Sequence, residues 1–266
     1  MASIERHRSP LNRGLLAKKI RSGQVTCGAF VGLNGGIATA EVLAAAGLDW
    51  VLIDLEHGAL SESDIGSVVA ATGAYGCATL VRVETPDRIR IGKALDAGAA
   101  GIMLPRIQSL REIEEVLPFV SYPPKGCRGV ATYNRASAWG AETENLDTAN
   151  DETLMLVQIE TQGALDGVED IAAHPGVDVL FVGPLDLSYA LGAPRDFNSL
   201  EFLKALERVV AAGELHRKSV GILASDLATL ERRAQEGFTF LAHGSDSTLL
   251  MQSAQQTLDI VKSYKS

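Results

Sequence analysis

This chain is built on a rhythm. A short continuous apolar run is followed by a stretch with helical spacing, and the pair recurs eight times. The runs are Val25–Val31, Trp50–Glu56, Ala78–Val83, Gly101–Pro105, Leu154–Glu160, Val179–Val182, Ser219–Leu223 and Phe238–Ala242. Helices are expected over Thr39–Ala46, Glu62–Tyr75, Pro86–Ala97, Leu110–Val120, Gly163–Ala173, Leu200–Gly213, Asp226–Glu236 and Thr248–Lys262. Runs that are apolar throughout read as parallel strands covered on both faces. Eight such units in 266 residues fit an α/β fold of the (β/α)8 barrel type. A doubly wound sheet is the runner-up. It would want a phosphate loop after the first strand, and Gly32–Gly36 (GLNGG) has the glycines without the GxGxxG spacing. The expected plan is an N-terminal segment, residues 1–24, with a capping helix over Leu11–Ser22, and one barrel domain over residues 25–266. Met1–Pro10 reads as loose. Ser121–Asp151, rich in Gly, Pro, Arg and Asn, reads as a long functional loop.

Charge and composition narrow the partners. A net charge of −9 with no basic tract of five or more residues argues against nucleic acid and anionic membranes. No apolar run reaches the ~18 residues of a membrane span. The polar first 24 residues do not read as a secretory signal. Cys27, Cys77 and Cys127 are widely spaced and form no CxxC, which suggests a reducing compartment and a cytoplasmic protein.

In a barrel, residues at the C-terminal ends of strands converge on one mouth. Here they are Asp54, Glu56, His57, Arg82, Arg106, Gln158, Glu160, Asp186 and His243. For any one of them an ion pair or a cap is the commoner explanation; together they favour catalysis. Glu160 and Asp186 end two successive runs. Neighbouring strands lie roughly 4.8 Å apart, so the two carboxylates can share one divalent cation and leave its other positions to substrate and water. His57 and His243 lack HxH or HxxxH spacing and make a poor zinc site; His7, His174 and His216 read as solvated. The carboxylate pair points to Mg²⁺, or to Mn²⁺ or Co²⁺ in its place. None of the eight lysines falls within a strand run, which disfavours Schiff-base chemistry. An enolate would then depend on metal and arginine.

The strings LIDLEHG (Leu52–Gly58), Val81-Arg82, ALDAGA (Ala94–Ala99), SYPPKGCRGV (Ser121–Val130), VQIET (Val157–Thr161) and GPLDLS (Gly183–Ser188) occur in this order. From about Thr26 to Ser253 the chain resembles the HpcH/HpaI aldolase/citrate lyase family of metal-dependent class II pyruvate aldolases. Its nearest branches are the 4-hydroxy-2-oxoheptanedioate and 2-dehydro-3-deoxyglucarate aldolases. The resemblance implies reversible cleavage of 4-hydroxy-2-oxoacids to pyruvate, or hydroxypyruvate, plus an aldehyde. It also implies Glu160 and Asp186 as metal ligands, and Arg82 holding the keto oxygen and the developing enolate. Gln158, Gly183, Pro184, Leu185 and Leu223 would line the substrate site, with backbone amides near Leu185 and Asp186 taking the carboxylate. His57 would handle protons, and Asp54 would position a water. Asp96 would orient His57, but it precedes the fourth strand on the opposite face. The aspartate would therefore come from a neighbouring subunit, in a homo-oligomer, a hexamer by resemblance, with shared active sites. Phe30 stands where the branch has tryptophan, and Arg106 and His243 where it has apolar residues. A citramalyl- or malyl-CoA-type lyase is the rival enzyme; its adenosine-phosphate site has little room in a chain that ends soon after the eighth helix. A non-catalytic ligand-binding barrel is the other rival, disfavoured by the intact set of Glu160, Asp186, Arg82 and His57.

Overall fold

The computed structural model describes residues 13–264, so the expectations for Met1–Pro10, His7 and the first residues of the capping helix lie outside it. Strands β1 (Thr26–Val31), β2 (Trp50–Asp54), β3 (Ala78–Arg82), β4 (Gly101–Leu104), β5 (Leu154–Ile159), β6 (Val179–Val182), β7 (Ser219–Ala224) and β8 (Phe240–Ser245) pair in parallel in that order. β8 pairs back to β1, closing a (β/α)8 barrel. The helices are α1 (Arg13–Arg21), α2 (Gly36–Ala45), α3 (Glu62–Gly73), α4 (Arg88–Asp96), α5 (Leu110–Val120), α6 (Asn145–Glu152), α7 (Gln162–Asp166), α8 (Val168–Ala173), α9 (Pro184–Ala190), α10 (Leu200–His216), α11 (Leu227–Gln235) and α12 (Asp246–Ser263).

Two-residue alternation divides the core into two layers. Along β2, Trp50 and Leu52 point into the barrel, while Val51 and Ile53 point at the helices. The interior layer includes Phe30, Leu80, Met103, Leu156, Phe181 and Phe240. The outer layer joins strands to helices through residues such as Ile65, Ile91, Ile113, Ile171 and Val209. Trp50 stacks on Phe240 with ring centroids 4.1 Å apart. The register sets this large ring beside Gly28 and Ala78, and a side chain at Gly28 would overlap it. Leu16, Ala17 and Ile20 of α1 join the interior layer, so this helix caps the barrel. Toward the other end of the barrel the buried side chains of the strands turn polar: Asp54, Arg82 and Gln158.

The segment expected to be a loop, Ser121–Asp151, contains a short 3-10 turn (Arg135–Gly140) and α6. The helix NLDTANDE buries only Ala149, so it carries no apolar stripe for sequence periodicity to detect. The helix expected over Gly163–Ala173 is broken at Gly167 into α7 and α8. β8 begins two residues later than expected and runs on to Ser245. Opposite it, Gly28 pairs with Ala242 and Phe30 with Ser245, so β8 carries one extra residue, a β-bulge in which Gly244 has φ of 60°. Among the described residues no helix is long and apolar enough to cross a membrane.

Candidate active site

Arg82 is the hub of the mouth. It ends β3 directly beside Asp54, the end of β2. Its Nε and Nη2 donate to the two carboxylate oxygens of Asp54 at 2.9 and 2.7 Å, a bidentate pair. Its Nη1 donates to Gln158 Oε1 at 3.3 Å and lies 3.2 Å from Glu56 Oε2. The guanidinium carbon sits 5.2 Å from the centre of the Phe30 ring. Asp54 is doubly committed, because its Oδ1 also accepts the amides of Glu56 and His57 at 3.1 and 3.2 Å. Burial pushes its carboxyl upward, but the bond and charge of Arg82 with those two amides outweigh burial and hold it below its ordinary value. Asp54 therefore anchors the arginine and the following turn.

Glu160 lies one residue past β5 and is 4% exposed. Its Oε1 accepts the amide of Arg106 at 2.7 Å, and its Oε2 accepts Gln158 Nε2 at 2.8 Å. Burial, with the charges of Asp186 and Glu56 acting the same way, pushes it up to about 7, against the pull of the Arg106 amide and Arg82. A buried carboxylate facing two others is a site short of positive charge. Gly183, the N-cap of α9, leaves space beside it: a Cβ there would overlap Glu160 Oε2 and come within 3.0 Å of Glu160 Cβ. Its φ of −88° would suit any residue, so glycine is required for room rather than for backbone conformation. Asp186 is the third residue of α9, and its side chain is 53% exposed. Arg106 touches both acids, through its amide to Glu160 and through Nη1, 4.0 Å from Asp186 Oδ1. Among the described residues no three His, Cys, Asp or Glu side chains gather as a metal site. Glu160 and Asp186, close enough for the charge of one to raise the other, are hard oxygen donors of the kind a divalent cation takes.

Gly183→Ala is expected to fold, because the strain falls on the Glu160 and Gln158 side chains rather than on backbone, and to lose divalent-cation affinity on the order of tenfold or more as Glu160 is displaced. Calorimetric titration with Mn²⁺ checks this; wild-type affinity would show that the gap at Gly183 has no bearing on the cation.

The remaining residues divide. His57 lies in the turn after β2 with its side chain 68% exposed and Nε2 3.9 Å from Glu56 Oε2. Pro184 and Leu185 open α9 beside Gly183, and Leu185 is 51% exposed. Leu223, on β7, packs against the interior layer. His243 lies at the bulge of β8, opposite Ala224. Asp96 ends α4, at the start of β4, and bonds to the buried Arg128 at 2.6 Å instead of sharing the mouth. Sequence reading missed the Arg106 amide and the role of Glu56 as a second acid on Arg82. Arg106 adopts left-handed φ of 56°, costing about 1 kcal/mol for a non-glycine residue. The same residue's N–H points at Glu160, and nothing in the local sequence signals either feature.

A model of the HpcH/HpaI aldolase/citrate lyase family matches residues 27–253. A hydroxypyruvate/pyruvate aldolase of Chromohalobacter salexigens is 37% identical over 246 residues, 92% of this chain and 96% of that protein. A 5-keto-4-deoxy-D-glucarate aldolase of Shigella boydii is 35% identical over 239 residues, covering 90% and 93%. The crystal structure of a family protein from Burkholderia cenocepacia superposes with a TM-score of 0.88 at 34% identity, covering 94% of this chain and 99% of that one. With the match running from the first strand into the last helix, the chain belongs to the HpcH/HpaI aldolase/citrate lyase family.

Proposed function

We propose that this protein is a carbon–carbon lyase, a metal-dependent aldolase that reversibly cleaves 4-hydroxy-2-oxoacids to pyruvate, or hydroxypyruvate, plus an aldehyde. The observation that carries this is a buried, charge-deficient Glu160 beside the half-exposed Asp186 and within the field of the cationic hub Arg82. Glu160 and Asp186 would hold a divalent cation, Mg²⁺, Mn²⁺ or Co²⁺, which supplies Lewis-acid polarisation of the 2-oxoacid. Arg82, fixed by Asp54 and Gln158, presents its positive charge where negative charge develops on the keto oxygen. Gln158 bridges Arg82 and Glu160 and keeps the two in register. The first-turn amides at Leu185 and Asp186, with Gly183 and Pro184, would receive the carboxylate, and Leu223 would line the pocket. His57, exposed at the mouth, takes the C3 proton and returns one to the new alkoxide. Phe30 covers one face of Arg82 and restricts water there. Lys218, the lysine that adjoins a strand, precedes β7 and donates to the carbonyls of His174 and Val177 at the far end of the barrel, which favours this chemistry over an imine route.

The site is shared in a homo-oligomer, a hexamer, under the same reading. Asp96 lies at the end opposite the mouth, so the carboxylate that orients His57 would come from another copy. Leu250, Met251 and Leu258 on α12 are more than half exposed and fall on one side of the helix, an apolar face suited to burial between subunits. Three free cysteines support a cytoplasmic setting.

The test is proton exchange of pyruvate in deuterated buffer, followed by loss of the methyl signal, with Mn²⁺ and then after exhaustive chelation. Exchange that needs the cation, with pyruvate released from a 4-hydroxy-2-oxoacid, is the expected result. Undiminished exchange after chelation excludes the metal role, and no exchange under any metal excludes the aldolase.

A further inference from the structure

We infer that Asp246, the first residue of α12, is a positioning residue of the active mouth, holding the β1–α2 loop where that loop fixes the turn that bears His57. Asp246 is 6% exposed. Its Oδ1 accepts the amides of Gly32 at 3.1 Å and Ser247 at 2.9 Å. Its Oδ2 accepts the amide of Leu33 at 3.2 Å and the hydroxyl of Thr39 at 2.9 Å. Three of these four donors lie more than 200 residues away in the chain, on the loop after β1 and the start of α2. The carboxylate has no ion pair among the described residues, so these neutral donors and the α12 N-terminus carry its charge.

The hold continues from β1 to β2. The carbonyl of Gly32 accepts the amide of Ala59 at 2.7 Å. The backbones of Gly32 and Gly58 pack directly together, since a Cβ on Gly58 would lie 3.0 Å from Gly32 Cα and overlap the carbonyl of Asp54. Gly58 in turn donates to that carbonyl at 3.2 Å. The exposed His57 side chain has little of its own to fix it, so its place depends on this backbone turn, with Asp54 on one side and Gly32 on the other. The β8 bulge makes the arrangement geometrically available. The extra residue sets Ser245 opposite Phe30 and delivers Asp246 under the Gly32 loop. A side chain at Gly244 would crowd Thr248 Oγ1, the partner of the Ser245 amide in the cap of α12.

This inference rests on the proton-transfer role of His57 under the proposed function, and its test keeps the two apart. Asp246→Asn retains the shape but presents an N–H₂ where a donor must be accepted. Three quantities are compared with wild type: Mn²⁺ binding, amide hydrogen exchange over residues 32–39 and 55–60, and pyruvate methyl exchange per metal-loaded site. Expected are unchanged Mn²⁺ affinity, faster exchange at Gly32, Leu33 and also Ala59, and a turnover lower by about tenfold to a hundredfold with KM for pyruvate within about twofold. Thr39→Val, which removes one donor and leaves the carboxylate, is expected to give a smaller effect of the same form, and it decides the matter if Asp246→Asn does not fold. Wild-type protection at Ala59, or wild-type turnover, overturns the inference. A wild-type protein that exchanges no pyruvate overturns the proposed function instead, while protection at Ala59 still decides whether Asp246 holds the turn.

Discussion

Glu160→Gln is expected to remove divalent-cation binding and to lower kcat/KM for aldol cleavage by at least about 10³-fold. The cation's stabilisation of enolate charge is worth several kcal/mol, and each 1.36 kcal/mol is a factor of ten. The amide of glutamine can still accept from Arg106, so the fold should persist. The wild-type site carries a pH signature that this variant lacks. Glu160, ordinarily near 4.5, is pushed up to about 7 in the metal-free fold, chiefly by burial. Folding therefore raises its proton affinity. Its contribution to stability is fully present below about 4.5 and is lost as pH rises through about 7. A cation competes with that proton, so Mn²⁺ affinity should fall by about tenfold per unit below pH 7. Thermal melts of metal-free protein at pH 5 and pH 8, with calorimetric Mn²⁺ titrations at both, read this out. Wild-type Mn²⁺ affinity in the Glu160→Gln variant would remove Glu160 from the ligand set.

Arg82→Lys is expected to reduce turnover by about 10²- to 10³-fold, the magnitude associated with loss of a preorganised donor at a developing oxyanion. The planar guanidinium meets both oxygens of Asp54, Gln158 Oε1 and the Phe30 face at once. An ammonium is a point charge on a flexible stem and cannot span that set. Because neither Glu160 nor Asp186 hydrogen-bonds to Arg82, Mn²⁺ affinity should be retained. Pyruvate methyl exchange, measured beside Mn²⁺ titration, separates the two properties. A wild-type exchange rate in the lysine variant would exclude Arg82 from enolate stabilisation.

The strands were legible because parallel strands buried on both faces leave long apolar runs, and α3, α4 and α5 because each spaces its buried apolar residues at helical intervals. α6 was not legible, having almost nothing to bury. The start of β8 was misplaced because Phe238, though buried, packs in the outer layer before the strand begins. At the mouth, Asp54, Arg82, Gln158 and Glu160 stood out as polar residues closing apolar runs. Which of them touch was not readable: the pairing of Arg82 with both Asp54 and Glu56, the amide of Arg106 on Glu160, and the distant reach of Asp246 all join segments far apart in the chain.

Alternation and apolar run length are local properties of the chain, and they specify the barrel, the direction of its strands and the side chains at the strand ends. Which acid is buried and which is exposed, where Gly183 leaves room, and how Asp246 of α12 ties the β1–α2 loop beside the His57 turn emerge only in three dimensions. Those depend on register between strands and on burial by residues far away in the chain, and no window of sequence contains both partners.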